Sequence, residues 1–502
     1  MKTKIIGSYV VGYENGDHVI YQDGEVIYEN DRIISVGRQT STPVDKTIDV
    51  TGQLVSPGFI DLDALVDFDH GILDVAAGQQ GGQPFRMDPA RLRTREPLSR
   101  QDNQRRSRLS YAQLICNGIT TGMPIAGDGL RAWAETYEEM ADSAQIAREM
   151  GMRMYLGPSY RTYPSGAQRN VTDPRGPWSF AEAQRFIRDF EDADGLIRTF
   201  LSPCQILNLS EEVLRETFRL SETCAIPVRL HTGESRQELA YLKERYGKTP
   251  VEYLASIGAL RPGTLLPHVL YTRPCLPDGP GAVDCESELR LLADSGVTVV
   301  HAPIAESHGG MALYSLSRYL DAGISMAFGT DTHPADMLQN MNFAWNLTRI
   351  FDSGEIVPKR AAWAYRTTAA DVYRMATLGG ANALGRQDLG RLCPGAKADI
   401  ITVDLSGVRS VPVEDPIRTL VMNTTGADVT NVVIDGRCVL RDHVLPGVDW
   451  DALRPQAQSG FDKFRASYSW FDAQRTQADE LFPPSFPLIG SESKKGGGRT
   501  EI

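Results

Sequence analysis

Val228-Arg229-Leu230-His231-Thr232-Gly233-Glu234 is a short apolar run that ends on an imidazole. The same figure returns in Thr264-Leu265-Leu266-Pro267-His268 and in Val297-Thr298-Val299-Val300-His301. It returns once more, with a carboxylate at the end, in Ser325-Met326-Ala327-Phe328-Gly329-Thr330-Asp331. Upstream, Gly58-Phe59-Ile60, Ile119-Thr120-Thr121-Gly122, Arg153-Met154-Tyr155-Leu156-Gly157 and Ile206-Leu207-Asn208 read as further strands. Amphipathic runs such as Ala181 to Phe190 and Glu211 to Ser221 lie between them. Repeated strand–helix alternation predicts a parallel sheet. The span from 56 to 391 suits an α/β fold of the (β/α)8 TIM-barrel type.

Both ends of the chain have a different texture. Residues 1–55 carry β-branched runs separated by Asn15-Gly16, Asp23-Gly24 and Asn30-Asp31, which are hairpin signals. Residues 392–445 return to that texture, in Asp399-Ile400-Ile401-Thr402-Val403 and Val429 to Arg437. Together they predict a small β-sandwich domain built from both ends around a central insertion, 56–391. Residues 446–489, with Trp450, Phe461, Phe464, Tyr468, Trp470 and Phe471, are expected to form a helical extension. The Gly- and Ser-rich stretch 490–502 reads as a flexible tail. The connection of about 66 to 107, with Gly78, Gly81, Gly82 and Pro84, is long for a compact domain and is placed to cover a site.

The 502 residues are 41% hydrophobic and 23% charged, an ordinary globular balance. A net charge of −12 disfavours a nucleic-acid partner. Arg100, Arg105, Arg106 and Arg108 cluster, and a solvated helix face accounts for them. Seven cysteines, an odd number without a CxxC pair, argue against a disulfide framework and for a reducing cytoplasm. No apolar run approaches the roughly 20 residues needed to span a bilayer, so no membrane partner is expected.

Side chains at the C-terminal ends of barrel strands converge. His231, His268, His301 and Asp331 each close such a run, and three imidazoles with a carboxylate are good ligands for zinc or a similar divalent ion. A single strand-end histidine is as readily a hydrogen-bonded structural residue; four at matched ends favour a site. Glu234, just past His231, could move a proton for activated water or lie on a surface loop. Tyr155, Tyr160, Arg161 and Tyr163 could stack on a substrate ring or serve packing.

These motifs resemble the amidohydrolase superfamily, in the branch of cytosine deaminase, guanine deaminase and the triazine hydrolases. Val55-Ser56-Pro57-Gly58-Phe59-Ile60-Asp61 is similar to that family's entry into strand one. His231-Thr232-Gly233-Glu234 is similar to its HxxE element, and Gly323 to Asp331 to its strand eight. Pro394-Gly395-Ala396-Lys397-Ala398-Asp399 resembles its return strand. The resemblance implies that His231 and Asp331 bind a metal, that Asp331 orients the water and that Glu234 shuttles protons. It makes His268 a further ligand or a contact to the reacting oxygen, and His301 a pocket residue. Strand one departs from the pattern. Where the family has His-x-His, this chain has Asp63-Ala64-Leu65. Leucine cannot coordinate an ion, whereas Asp63 can. Relatives that cleave phenylureas and thiocarbamates also look altered at this pair, though they keep one histidine.

The expected enzyme is therefore a metal-dependent hydrolase of a C–N bond in a small amide, urea, carbamate or amino-heterocycle. Its metal ligands would be Asp63, His231, His268 and Asp331, and its catalytic residues Glu234, His268 and Asp331. Tyr160, Arg161 and His301 would face the substrate. The cofactor would be one divalent ion, zinc first, with cobalt, manganese or iron as alternatives. The rival is a metal-free acid–base enzyme for elimination, ring opening or cyclisation. A homo-oligomer is expected by resemblance.

Overall fold

A computed structural model describes residues 1–68, 73, 85–88, 91, 96–125, 131, 134–163, 176–192, 195–272, 286–313, 315–353, 366–487 and 489. The N-terminal stretch forms β1 (Lys2–Glu14), β2 (Asp17–Glu29), β3 (Arg32–Arg38) and β4 (Lys46–Pro57). The centre contributes β5 (Phe59–Ala64), β6 (Ile119–Pro124), β7 (Arg153–Leu156), β8 (Ser159–Tyr160) and β9 (Ile197–Thr199). It continues with β10 (Ser202–Pro203), β11 (Val228–Arg229), β12 (Thr264–Pro267), β13 (Thr298–His301) and β14 (Ser325–Phe328). β15 (Ile400–Asp404), β16 (Val429–Ile434) and β17 (Arg437–Leu440) follow.

Both ends of the chain meet in one seven-stranded sheet, in the order β17-β16-β15-β4-β1-β2-β3. β15 runs antiparallel to β4, with Ile400 opposite Pro57 and Val403 opposite Leu54. The turn at Asn15-Gly16 has φ of 52° and 89°, the left-handed pair that a tight two-residue hairpin requires. Asp23-Gly24 differs from the hairpin expectation. Asp23 takes φ 50° inside the continuous strand β2, where Ser8 and Asp23 drop out of the pairing with β1. The left-handed residue is absorbed as a local kink because β1 offers a full-length partner on both sides of it.

The centre holds two four-stranded parallel sheets, β5-β6-β7-β9 and β11-β12-β13-β14. A parallel bridge from Leu201 to Val228 connects the β9 side to β11. At the other margin the Asp331 N–H donates to the Asp63 carbonyl at 2.7 Å. The parallel direction gathers the strand C-termini at one end. One expected strand is corrected. Ile206–Asn208 forms a single 3-10 turn, and the fourth strand is Ile197-Arg198-Thr199. That strand is three residues long with an arginine at its middle, so it shows no apolar run to read.

Arg153 on β7 braces the two regions. Its fully buried guanidinium reaches Asp399 at 3.2 and 3.1 Å and Asp435 at 3.1 Å. The Arg100 and Arg108 side chains pair across to Asp142 and Glu149 on the helix Tyr137–Met150, each at 2.6 Å. The C-terminal stretch is helical as expected, in Trp450–Phe471 and Ala478–Leu481. Its Phe464, Tyr468 and Phe471 share an apolar cluster with Phe68, Leu73 and Leu98 from the long connection after β5. Gly78, Gly81, Gly82 and Pro84 of that connection, and the tail 490–502, lie outside the described residues. Among the described residues no helix is long and apolar enough to cross a membrane.

Candidate active site

The end of each relevant strand delivers one polar side chain to a shared hollow. Asp63 comes from β5, His231 follows β11, His268 follows β12 and Asp331 follows β14. One ligand atom from each of Asp63, His231 and His268 lies within 4.8 Å of the other two. The His231 and His268 ring centroids are 5.4 Å apart. Asp63 Oδ2 is 3.4 Å from His231 Nε2, and Asp331 Oδ2 is 3.9 Å from His268 Nε2. Two of these residues hold left-handed backbone, His268 at φ 73° and Asp331 at φ 59°. Such geometry costs about 1 kcal/mol or more for a non-glycine residue and clusters where function demands it.

Close approach of β14 to β5 depends on Gly329. A methyl group there would overlap the Asp63 Cβ and crowd the Asp63 N at 3.1 Å. Asp61, two residues before Asp63 and fully buried, fastens the same junction. Its Oδ1 accepts from the Asp63 N–H and the Thr330 N–H, each at 3.1 Å, and its Oδ2 accepts from the Thr330 hydroxyl at 2.7 Å.

The electrostatics follow from burial and crowding. Burial alone would raise the Asp63 carboxyl, but His231, Arg229 and His268 hold it below its ordinary range. Burial lowers His231, and the Asp63 charge outweighs it, so the imidazole is raised. His268 is pushed up to about 10 because Glu306, Glu234 and Asp331 outweigh its burial. Burial, then the Asp63 charge, drives Asp331 up to about 7.

A divalent ion fits the donors. Both carboxylate oxygens of Asp63 and both ring nitrogens of His268 are buried without a hydrogen-bond partner. Such atoms are costly unless something satisfies them. Two imidazoles with carboxylate oxygens are suitable donors for zinc and its neighbours.

Glu234 is half-buried, and its Oε2 accepts from Gln205 Nε2 at 2.9 Å. His301 ends β13 as expected, and one of its ring nitrogens is engaged. Its Nδ1 lies 3.2 Å from Glu306 Oε1 and its ring stacks near Phe328. Tyr160 is in the core beside Phe180, with its hydroxyl 2.8 Å from Thr217 Oγ1. Arg161 is buried and donates to the Arg131 carbonyl at 3.2 Å.

Sequence reasoning missed two residues that shape the hollow. Glu306, on the helix Pro303–His308, stands between His301 and His268, 3.6 Å from His268 Nδ1. Arg229 is buried beside Asp63, with Nη1 3.0 Å from Oδ1. Its signal was present: a charged residue inside an apolar strand, two before His231 and so on the same side of the strand.

Residues 54–439 match the amidohydrolase family. The chain is 30% identical over 446 residues to the 5-methylthioadenosine/S-adenosylhomocysteine deaminase of Halobacterium salinarum, covering 87% of this chain and 92% of that one. It is 27% identical to the 5'-deoxyadenosine deaminase of Methanothermobacter thermautotrophicus, covering 84% and 90%. In fold it is similar to a zinc-bound adenosine deaminase from Xanthomonas campestris, with TM-score 0.73, 22% identity, and 92% and 98% coverage. A zinc complex of atrazine chlorohydrolase from Arthrobacter aurescens gives TM-score 0.72 at 22% identity, with 91% and 99% coverage. The chain belongs to the amidohydrolase family. It is an enzyme of the hydrolase class, and hydrolysis at a C–N bond is the activity that this membership carries.

Proposed function

We propose that this protein is a metal-dependent deaminase of amino-heterocycles, with purine nucleosides as the first substrate class. The observation that carries the reading is the convergence of Asp63, His231 and His268 within 4.8 Å, with donor atoms left unsatisfied. The names of the relatives supply the substrate class. The proposed fold closes the two parallel sheets into one (β/α)8 barrel. Its domain spans 56–391, the end sheet with 1–55 and 392–445 packs as a sandwich, and 446–489 forms an extension.

A divalent ion at the centre, zinc by preference, would activate water at neutral pH and polarise the reacting carbon's substituent. Asp63, His231, His268 and Asp331 would hold it. Asp331 receives the proton of the attacking water at Oδ2, the oxygen that faces His268. Glu234, on the adjacent loop and kept in place by Gln205, passes the proton taken up at Asp331 on to the departing nitrogen, which leaves as ammonia, so both carboxylates end as they began. As a catalytic group, His268 would contact the oxygen that the attacking water brings to the reacting carbon. Arg161 and His301 border the substrate side, and Tyr160 supports that wall from the core. The odd cysteine count without a CxxC pair supports a cytoplasmic setting, and the family supports a homo-oligomer.

The test joins elemental analysis to ammonia release. Purified wild type and His231→Ala are loaded with zinc and assayed on adenosine, 5'-methylthioadenosine, S-adenosylhomocysteine, and simple amides and ureas. Bound zinc in the wild type alone, with ammonia from the nucleosides, is the expected result. Equal metal in both proteins with persistent turnover would favour the metal-free acid–base enzyme.

A further inference from the structure

We infer that Asp63 and Arg229 act together as a charge-neutral replacement for a histidine ligand, with Arg229 as the positioning residue. This rests on the metal-centre reading above. An imidazole donor is neutral, so a bare carboxylate in its place would add a full negative charge to a site with no solvent to spread it. Here Asp63 and Arg229 both have 0% exposed side chains, with Nη1 3.0 Å from Oδ1. The cation cancels the extra charge at its source. It also divides the work of the carboxylate: Oδ1 faces the guanidinium, and Oδ2 faces His231 Nε2 at 3.4 Å.

Arg229 is held so that it cannot leave. Nη1 donates to the Met123 carbonyl at 3.3 Å and to the Pro124 carbonyl, and Nη2 lies 3.4 Å from Ser202 Oγ. Its guanidinium carbon sits 5.0 Å over the Phe200 ring. The contact to Oδ1 is thus one of charge, with the N–H groups aimed at backbone carbonyls, and both Asp63 oxygens keep free lone pairs. The departure at strand one and the arginine on β11 therefore form one compensated change.

Sign reversal tests this. Zinc affinity is measured by competition with a chromogenic chelator for wild type, R229M, D63H and D63H/R229M, with thermal midpoints alongside. R229M and D63H are each expected to bind zinc about tenfold or more weakly, the usual range for losing a group that orients a ligand. In the double variant the imidazole no longer opposes a guanidinium, and zinc affinity and midpoint should both exceed those of D63H. The same R229M change is thus harmful beside aspartate and helpful beside histidine. R229M binding zinc like wild type, or the double variant binding no better than D63H, overturns the inference. Should R229M not fold, R229Q and R229K replace it: Lys keeps wild-type affinity and Gln loses it, and equal affinities overturn the inference. Wild type holding no more zinc than H231A overturns the metal reading and this inference with it, a result distinct from zinc-bound wild type with an indifferent Arg229.

Discussion

Asp61→Ala is the substitution that most directly tests how the site is held. Asp61 lies in the core, two residues from Asp63, and touches no substrate in this account. Its carboxylate accepts from the Asp63 N–H, the Thr330 N–H and the Thr330 hydroxyl at 3.1, 3.1 and 2.7 Å. Alanine leaves three buried donors without an acceptor. Each orphaned donor costs about 1–3 kcal/mol, and with partial relaxation the total should be about 3–5 kcal/mol. Asp61→Asn keeps the size and one carbonyl oxygen for the two N–H groups, so it should cost only about 1–2 kcal/mol. Urea unfolding near neutral pH measures both. Because Asp63 is one of the proposed metal donors and Thr330 adjoins another, Asp331, the alanine variant should also lose zinc affinity and turnover, while the asparagine variant keeps most of each. A loss below about 1 kcal/mol in Asp61→Ala, or equal losses in the two variants, would refute the claim that these bonds join β5 to the end of β14.

Gly329→Ala should destabilise by about 1–3 kcal/mol through overpacking against Asp63, and ammonia release should fall more steeply than the unfolding midpoint. Glu306→Gln removes the anion shared by His268 and His301, and zinc binding by chelator competition should weaken about tenfold or more with little change in fold by circular dichroism. His18, whose Nε2 lies 3.0 Å from Thr377 Oγ1, is pushed down by burial to about 4 from 6.5. It is neutral in the folded protein, so the unfolded state binds the extra proton between those values. Stability is complete above pH 6.5 and falls as pH drops toward 4, by about 2–3 kcal/mol from this group. His18→Gln should flatten that slope in urea midpoints taken across the range; an unchanged slope would contradict the assignment.

Much of this arrangement was legible in the chain because strands announce themselves by apolar runs and the site sits where runs stop. His231, His268 and Asp331 were readable on that basis, Asp63 only through the family resemblance at strand one, and the four side chains lie together. Arg229 and Glu306 were not read. Arg229 left a signal, a charge inside an apolar strand two residues before His231, whereas Glu306 depends on which way a side chain turns relative to another segment, and that is fixed by tertiary packing. The fourth strand was misplaced because Arg198 interrupts it, while Ile206-Leu207-Asn208 offers apolar bulk to a turn. Tyr160 shows the converse error: an aromatic near the expected hollow faces the core, with its hydroxyl committed to Thr217. Composition cannot tell those two positions apart.

The sheet made from both ends imposes an order on synthesis. A ribosome delivers β4 long before β15, its neighbour in the finished molecule. At about 5–20 residues per second, roughly 20 to 70 s separate the two. During that interval the emerging polypeptide displays one bare flank of β4, and the whole central region is synthesised before the flank is covered. Shielding of that flank by a chaperone, or rapid docking onto the nascent central region, would decide how much protein survives to completion.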